Sequence, residues 1–239
     1  MLQAIDLTKR YEDNNLALDA LNLSIQEGEI FCLLGANGAG KTTTINLFLN
    51  FIEPTSGEAL INGIDVNKDP LEAKKYVSYV SENVMLYGNF TARQNLDFFA
   101  KLGGKTNLTK EDYHTYLRRV GLQEAAFETK VKKFSKGMRQ KVGITIALIK
   151  DAPNILLDEP TSGLDPKAAA EFVKILEFLR EKGKSIIMCT HDIFRAKAIA
   201  DRIGIMKEGR LVMVRTREEF MEEDLEKIYL DYMQETVAL

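Results

Sequence analysis

Apolar and polar positions alternate through the first stretch of the chain: Leu2, Ala4, Ile5 and Leu7, then Leu21, Leu23 and Ile25. A period of two predicts half-buried strands, mostly antiparallel. Asp13-Asn14-Asn15 and Glu27-Gly28-Glu29 are turn-forming breaks between them. Ile30–Leu34 differs in being apolar throughout, the pattern of a strand buried on both faces. A helix is predicted over Thr42 to Asn50, and Gly57–Ile61 and Tyr76–Val80 read as further strands.

From about residue 91 to 150 the period lengthens to that of a helix. Thr91 and Gln94 form a capping-box pattern ahead of Leu96, Phe98, Phe99 and Leu102. Tyr113, Tyr116, Leu117 and Val120 recur at helical spacing, and Gly121 can stop that helix. Residues 138–150 read as another buried helix, ended before Pro153. From 154 onward strand and helix alternate. Ile155–Leu157 and Ser185–Cys189 are short apolar strands, and Pro166–Lys182 is an amphipathic helix with Phe172, Ile175, Leu176 and Leu179 on one face. This alternation implies a parallel sheet covered by helices. Arg217–Met233 reads as a charged amphipathic helix. No internal repeat or low-complexity linker divides the chain.

Composition narrows the class without changing this picture. The 239 residues suffice for one large α/β domain or two small ones. Hydrophobic content of 45% and charged content of 28% are those of an ordinary globular protein. Basic and acidic residues number 32 and 35, a net charge of −3, which gives no support to a nucleic-acid partner. No apolar run approaches the ~20 residues that span a bilayer. The first six residues lack a basic region followed by an apolar run, so a cytoplasmic location is expected. Work at a membrane would then need another chain to supply the spans. Cys32 and Cys189 sit in apolar strands and read as buried small hydrophobes rather than a disulfide. His114 and His191 are too few for a metal cluster.

The chemistry concentrates in a few segments. Residues 35–42, Gly-Ala-Asn-Gly-Ala-Gly-Lys-Thr, fill the pattern G-x-x-x-x-G-K-[ST] at every fixed position, between a predicted buried strand and a predicted helix. Glycines let the backbone curl so that several N–H groups point at one spot, and the following helix adds its positive end. Such a nest binds a nucleoside triphosphate. Its candidate residues are Gly35, Asn37, Gly38, Ala39, Gly40, Lys41, Thr42 and Thr43. Lys41 supplies a mobile charge for the β and γ phosphates, and the Thr42 hydroxyl is placed to ligate Mg²⁺.

Asn154–Glu159 runs an aliphatic strand into two adjacent acids at its C-terminal edge, where ligands bind in parallel sheets. Asp158 can hold Mg²⁺ beside Thr42, and Glu159 can polarise an attacking water as a general base. Ser135-Lys136-Gly137-Met138 opens a helix and can form a second anion site, although helix capping alone explains Ser135. Asp165-Pro166 is a good helix start. His191, at the end of an apolar strand, can reach a γ-phosphate or simply be a polar strand end.

Taken in order, these segments resemble the ATP-binding cassette (ABC) ATPases of ABC transporters. The resemblance rests on Gly35–Thr42 (Walker A), Ser135–Met138 (signature), Ile155–Glu159 (Walker B), Ser162–Asp165 (D-loop) and His191 (switch histidine), and covers nearly the whole chain. It implies an α/β fold: a P-loop NTPase (RecA-like) core, 27–85 and 150–239, with an N-terminal antiparallel β subdomain, 1–26, and an inserted α-helical subdomain, 86–149. It implies ATP and Mg²⁺ as ligands, catalysis by Glu159, His191 and Lys41, and Tyr11 stacked on adenine. It implies a head-to-tail homodimer or heterodimer in which ATP on one chain's loop is covered by the partner's Ser135 and Gly137, with Asp165 linking the two pockets. The energy would drive integral membrane permease subunits, with the chain peripheral on the inner face of the membrane. A soluble ATPase of the same family without a transport role is the alternative.

Two positions depart from the family pattern. Glu82 stands where a glutamine that contacts Mg²⁺ is usual, which makes it a candidate metal ligand that adds negative charge near the triphosphate. Lys136 and Met138 replace the usual glycine and glutamine of the signature. The form Ser-Lys-Gly-Met-Arg-Gln, together with the Walker A sequence, resembles the branch that pairs with separate ABC-2-type permeases, mostly exporters.

Overall fold

The computed structural model describes residues 1–234, and two sheets organise them. Their strands are β1 (Leu2–Arg10), β2 (Leu16–Ile25), β3 (Ile30–Leu34), β4 (Ser56–Ile61), β5 (Ile64–Asp65), β6 (Val77–Val80), β7 (Asn154–Asp158), β8 (Ser185–Thr190), β9 (Arg202–Lys207) and β10 (Arg210–Thr216). The smaller sheet is antiparallel with order β2-β1-β4-β5. Residues 56–65, assigned from sequence to the core segment, thus lie on the antiparallel sheet. The larger sheet has order β10-β9-β3-β8-β7-β6, with β9 to β6 parallel and β10 an antiparallel edge.

The apolar runs become the centre of this larger sheet. Every residue of β3, β7 and β8 is buried, because helices and the second sheet cover both faces. Successive side chains of β3 point to opposite faces. Phe31 and Leu33 pack with Leu2, Leu18, Ile45 and Phe48 toward the antiparallel sheet. Ile30, Cys32 and Leu34 join Leu176, Ile186 and Ile203 on the helical side. Cys32 and Cys189 are free thiols whose pKa burial pushes up, so both remain unreactive hydrophobes.

The helices are α1 (Lys41–Phe48), α2 (Pro70–Ala73), α3 (Ala92–Leu102), α4 (Lys110–Arg119), α5 (Glu124–Phe127), α6 (Lys136–Lys150), α7 (Pro166–Glu181), α8 (Ile193–Ile199), α9 (Arg217–Glu222) and α10 (Leu225–Gln234). The capping box at Thr91 and Gln94 forms as its spacing predicts. Gly121 follows α4 at φ +68°, as a helix stop should. Phe172, Ile175, Leu176 and Leu179 are the buried stripe of α7. No helix among the described residues is long and apolar enough to cross a membrane.

The helix expected over Arg217–Met233 is two helices. Glu223 takes an extended conformation (ψ 153°) and its carboxylate pairs with Arg215 Nε at 3.0 Å. Asp224 then accepts from the Lys227 N–H, 3.1 Å, as a new N-terminal cap. The last part of the expected core, residues 235–239, lies outside the described residues.

Candidate functional site

Register brings the chemistry to one edge. Leu34 pairs with Thr190, Asp158 with Cys189, and Val80 with Leu157, so β3, β8, β7 and β6 all end together. The loops that follow carry residues 35–40, His191, Glu159 and Glu82 respectively. A parallel sheet gathers ligand-binding loops at its C-terminal edge.

The glycine loop curls against the neighbouring backbone. Gly40 has φ +107°, and a Cβ there would meet the Ala17 carbonyl oxygen at 2.6 Å. At Gly35 a Cβ would lie 2.5 Å from the Met206 carbonyl oxygen. Both positions therefore exclude a side chain. Lys41 is buried, and its ammonium donates to the carbonyls of Gly35 (2.6 Å) and Ala36 (3.0 Å). Thr42 Oγ1 donates to Asp158 Oδ2 at 3.2 Å. Burial raises the pKa of Asp158, as do the nearby charges of Glu159 and Glu82.

Glu159 sits at φ +46°, in the left-handed region that costs a non-glycine residue about 1–2 kcal/mol. Its Oε1 lies 2.9 Å from His191 Nδ1 and 3.7 Å from Lys41 Nζ. That oxygen is nevertheless buried without a hydrogen-bond donor. Backbone strain and two basic side chains thus converge on one carboxylate at the edge of the sheet.

One cavity of about 390 Å³ unites most of the candidates: Tyr11, Asn37, Gly38, Gly40, Lys41, Thr42, Thr43, Glu82, Asp158 and Glu159. Gly35 and Ala39 are buried in the curl of the same loop. Tyr11 leaves β1 in a turn and is partly exposed, with Lys9 Nζ 5.3 Å from its ring centre. Ser135, Gly137 and Asp165 are elsewhere, in a second cavity of about 260 Å³ lined also by Met138, Lys141 and Ala168. Ser135 caps α6, accepting from the Met138 N–H at 3.3 Å, and Asp165 caps α7, accepting from the Ala168 N–H at 2.9 Å.

Among the described residues no three His, Cys, Asp or Glu side chains converge as metal ligands. The Thr42–Asp158 pair is a set of hard oxygen donors of the kind Mg²⁺ takes when phosphates and waters complete its shell. Glu82 has one carboxylate oxygen committed elsewhere: its Oε1 accepts from Lys136 Nζ at 3.1 Å and from Ser162 Oγ at 2.9 Å. These donors, Lys136 first, hold its carboxyl below the ordinary carboxylate range. His114 lies away from the site, 3.3 Å from Glu128.

The pattern of residues did not show Asn15 and Ala17 as cavity wall, because the start of β2 meets the glycine loop only in the folded chain, whereas Ala36, also on the wall, lies inside the quoted motif. Nor did it show Gln140, whose side chain is buried and donates to the Glu82 carbonyl at 2.8 Å.

The family model described as ABC transporter matches residues 18–162, more than half of the chain. The chain belongs to the ABC transporter family. The bacitracin transport ATP-binding protein of Bacillus licheniformis is 39% identical to this cassette, over 89% of this chain and 68% of that protein. The ABC transporter ATP-binding protein NatA of Bacillus subtilis is 32% identical, over 96% of this chain and 97% of that protein. Among solved structures, a dimeric ATP-binding cassette in a post-hydrolysis state with ADP and Pi superposes with a TM-score of 0.82. That match has 30% identity and covers 91% of this chain and 99% of that one. The cassette is thus an ATP-hydrolysing subunit of an ABC transporter.

Proposed function

We propose that this cassette binds Mg-ATP in the cavity beneath Tyr11 and closes on it as a head-to-tail dimer. Hydrolysis then drives separate membrane subunits from the cytoplasmic face. The observation that carries this reading is the meeting of Lys41, Thr42, Asp158 and Glu159 in one cavity, with Ser135 and Gly137 in another. A single chain has two anion-binding segments and no way to use both on one nucleotide. A second copy, turned head to tail, supplies the missing half.

The roles follow from the local chemistry. Tyr11 offers an aromatic face to the adenine. The N–H groups of residues 37–43 and the Lys41 ammonium take the phosphates. Thr42 and Asp158 would hold Mg²⁺, which when bound neutralises charge on the phosphates. Glu159 takes a proton from the attacking water, and His191 beside it steadies the carboxylate and the γ-phosphate. Asp165, at the D-loop end, links the two pockets across the dimer.

The partner surface is a groove of about 420 Å³ between the β6 loop and α6, lined by Tyr79, Val84, Met85, Phe99, Gly143 and Ile146. Met85 is 84% exposed, and Tyr87 and Phe98 stand edge to face nearby with ring centres 4.8 Å apart. This apolar surface fits a helical segment of a permease. The name of one relative, the linearmycin resistance ATP-binding protein of Bacillus subtilis, supports export as the direction. Purification of the tagged chain from its native membranes tests the reading. A co-purified integral membrane protein and ATP-dependent phosphate release support it; a chain recovered alone, with no phosphate release, overturns it.

A further inference from the structure

Three segments far apart in sequence meet at a single oxygen. Glu82 follows β6, Lys136 opens α6, and Ser162 lies in the turn before α7. Glu82 Oε1 accepts from both Lys136 Nζ (3.1 Å) and Ser162 Oγ (2.9 Å). The Lys136 stem reaches this oxygen by crossing Gly163, where a Cβ would lie 3.5 Å from its Cδ. One helical turn further along α6, buried Gln140 donates to the carbonyls of Ser81 (3.3 Å) and Glu82 (2.8 Å). The first two turns of α6 therefore grip residue 82 by both side chain and backbone.

Folding alone gives little reason for the ion pair. Lys136 and Glu82 are 33% and 43% exposed, and pairs so open to water contribute little to stability. Location gives it consequence. Glu82 shares a cavity wall with Asp158 and Glu159, so three carboxylates surround a pocket that must admit a polyphosphate. An unpaired third acid there repels the ligand across a partly desolvated space. Lys136 is the cation that touches it, and it does so from the segment that carries Ser135 and Gly137.

We infer that Lys136 is a positioning residue for the ATP reaction: it neutralises and holds Glu82 at the phosphate cavity of its own chain, and so makes an acid at that position compatible with bound nucleotide. The inference rests on the Mg-ATP reading of that cavity. It differs from a direct effect of the Lys136 charge on phosphate, which persists when Glu82 is neutral, because the part that passes through the position of Glu82 vanishes then.

A double-mutant cycle on the full chain separates the two. Mg-ATP affinity is measured by calorimetry, and kcat and KM by phosphate release. Lys136→Gln should weaken Mg-ATP binding and raise KM by more than about tenfold, the lost Lys136 charge and a Glu82 carboxylate freed toward the phosphates acting together, with a smaller change in kcat. The loss should shrink at high salt, and Lys136→Arg should largely avoid it. In the Glu82→Gln background the same Lys136→Gln change should cost several-fold less affinity, since only the through-space loss of one charge remains. Equal losses in both backgrounds, or no loss in either, would overturn the inference while leaving the nucleotide reading intact. A parent chain that binds no Mg-ATP would overturn both.

Discussion

His191 Nδ1 lies 2.9 Å from Glu159 Oε1, and that oxygen is buried with no hydrogen-bond donor of its own. The strained φ of +46° at Glu159 aims the carboxylate there. A general-base role for this carboxylate gives the first prediction. Glu159→Gln should keep ATP binding and lower turnover by roughly 10²–10⁴-fold, the usual span for loss of a general base. Size-exclusion chromatography with ATP should show the variant as a dimer. Parent-like phosphate release by Glu159→Gln would remove Glu159 from that role.

Lys41 and Ser135 line different cavities, which leads to a mixing experiment. Lys41→Ala and Ser135→Arg should each be nearly inactive. In a mixed dimer one pocket combines the intact Lys41 of one chain with the intact Ser135 of the other. Activity should therefore reappear on mixing. Mixtures as inactive as the separate variants would contradict pockets shared between chains.

Asp158 gives a pH prediction with a definite sign. Burial raises its pKa in the folded chain, so the native state holds this proton more tightly than the unfolded state. Between the ordinary and the raised pKa, stability from this group falls as pH rises, and at neutral pH the buried charge is a cost. Asp158→Asn should accordingly raise the Tm of the nucleotide-free protein at pH 7 in chelator, with little gain at pH 4. The same change should abolish Mg²⁺-dependent ATP hydrolysis. A lower Tm at pH 7 would show that the ionised carboxylate stabilises the apo fold.

Gly40 has no room for a methyl group. Its φ is +107°, and the Ala17 oxygen lies 2.6 Å from where a Cβ would sit, so Gly40→Ala must shift the loop or the start of β2. The strain is of order 1–3 kcal/mol. Nucleotide affinity should fall at least tenfold, with a Tm lower by several degrees. Calorimetric titration that gives parent affinity would show the loop to be more compliant than its contacts imply.

Met85 stands out of the groove beside α6, 84% exposed, and does not line the cavity that holds Lys41 and Asp158. Met85→Asp should leave phosphate release by the isolated chain within about twofold, since exposed substitutions rarely disturb a fold. It should reduce co-purification of the membrane partner several-fold. Undiminished co-purification would move the docking surface elsewhere.

Much of the site was legible because its chemistry is contiguous. Residues 35–42 curl through their own backbone, and Ile155–Glu159 announces a buried strand and its acids within one short run. The antiparallel alternation of residues 2–25 and the capping box at Thr91 are local in the same way. The break between α9 and α10 was not legible, because Arg215 meets Glu223 only once α9 has formed between them. Glu82 and Lys136 stood out individually as departures from a pattern, Glu82 as a candidate metal ligand and Lys136 as a replacement within the signature. Their contact was invisible across 54 residues of sequence.

By itself, the sequence determined the phosphate-binding loop, the paired acids, the alternation of strands and helices, and through these the family. Those properties reside in short segments whose periodicity and residue types act locally. Only the tertiary structure decided that Glu159 and His191 stand 2.9 Å apart, that Glu82 is shared by Lys136 and Ser162, and that Ser135 and Gly137 face a different cavity from Lys41. The reason is the strand order β3-β8-β7-β6: neighbours in the sheet are distant in the chain, and their pairing register, not local propensity, sets which loops meet.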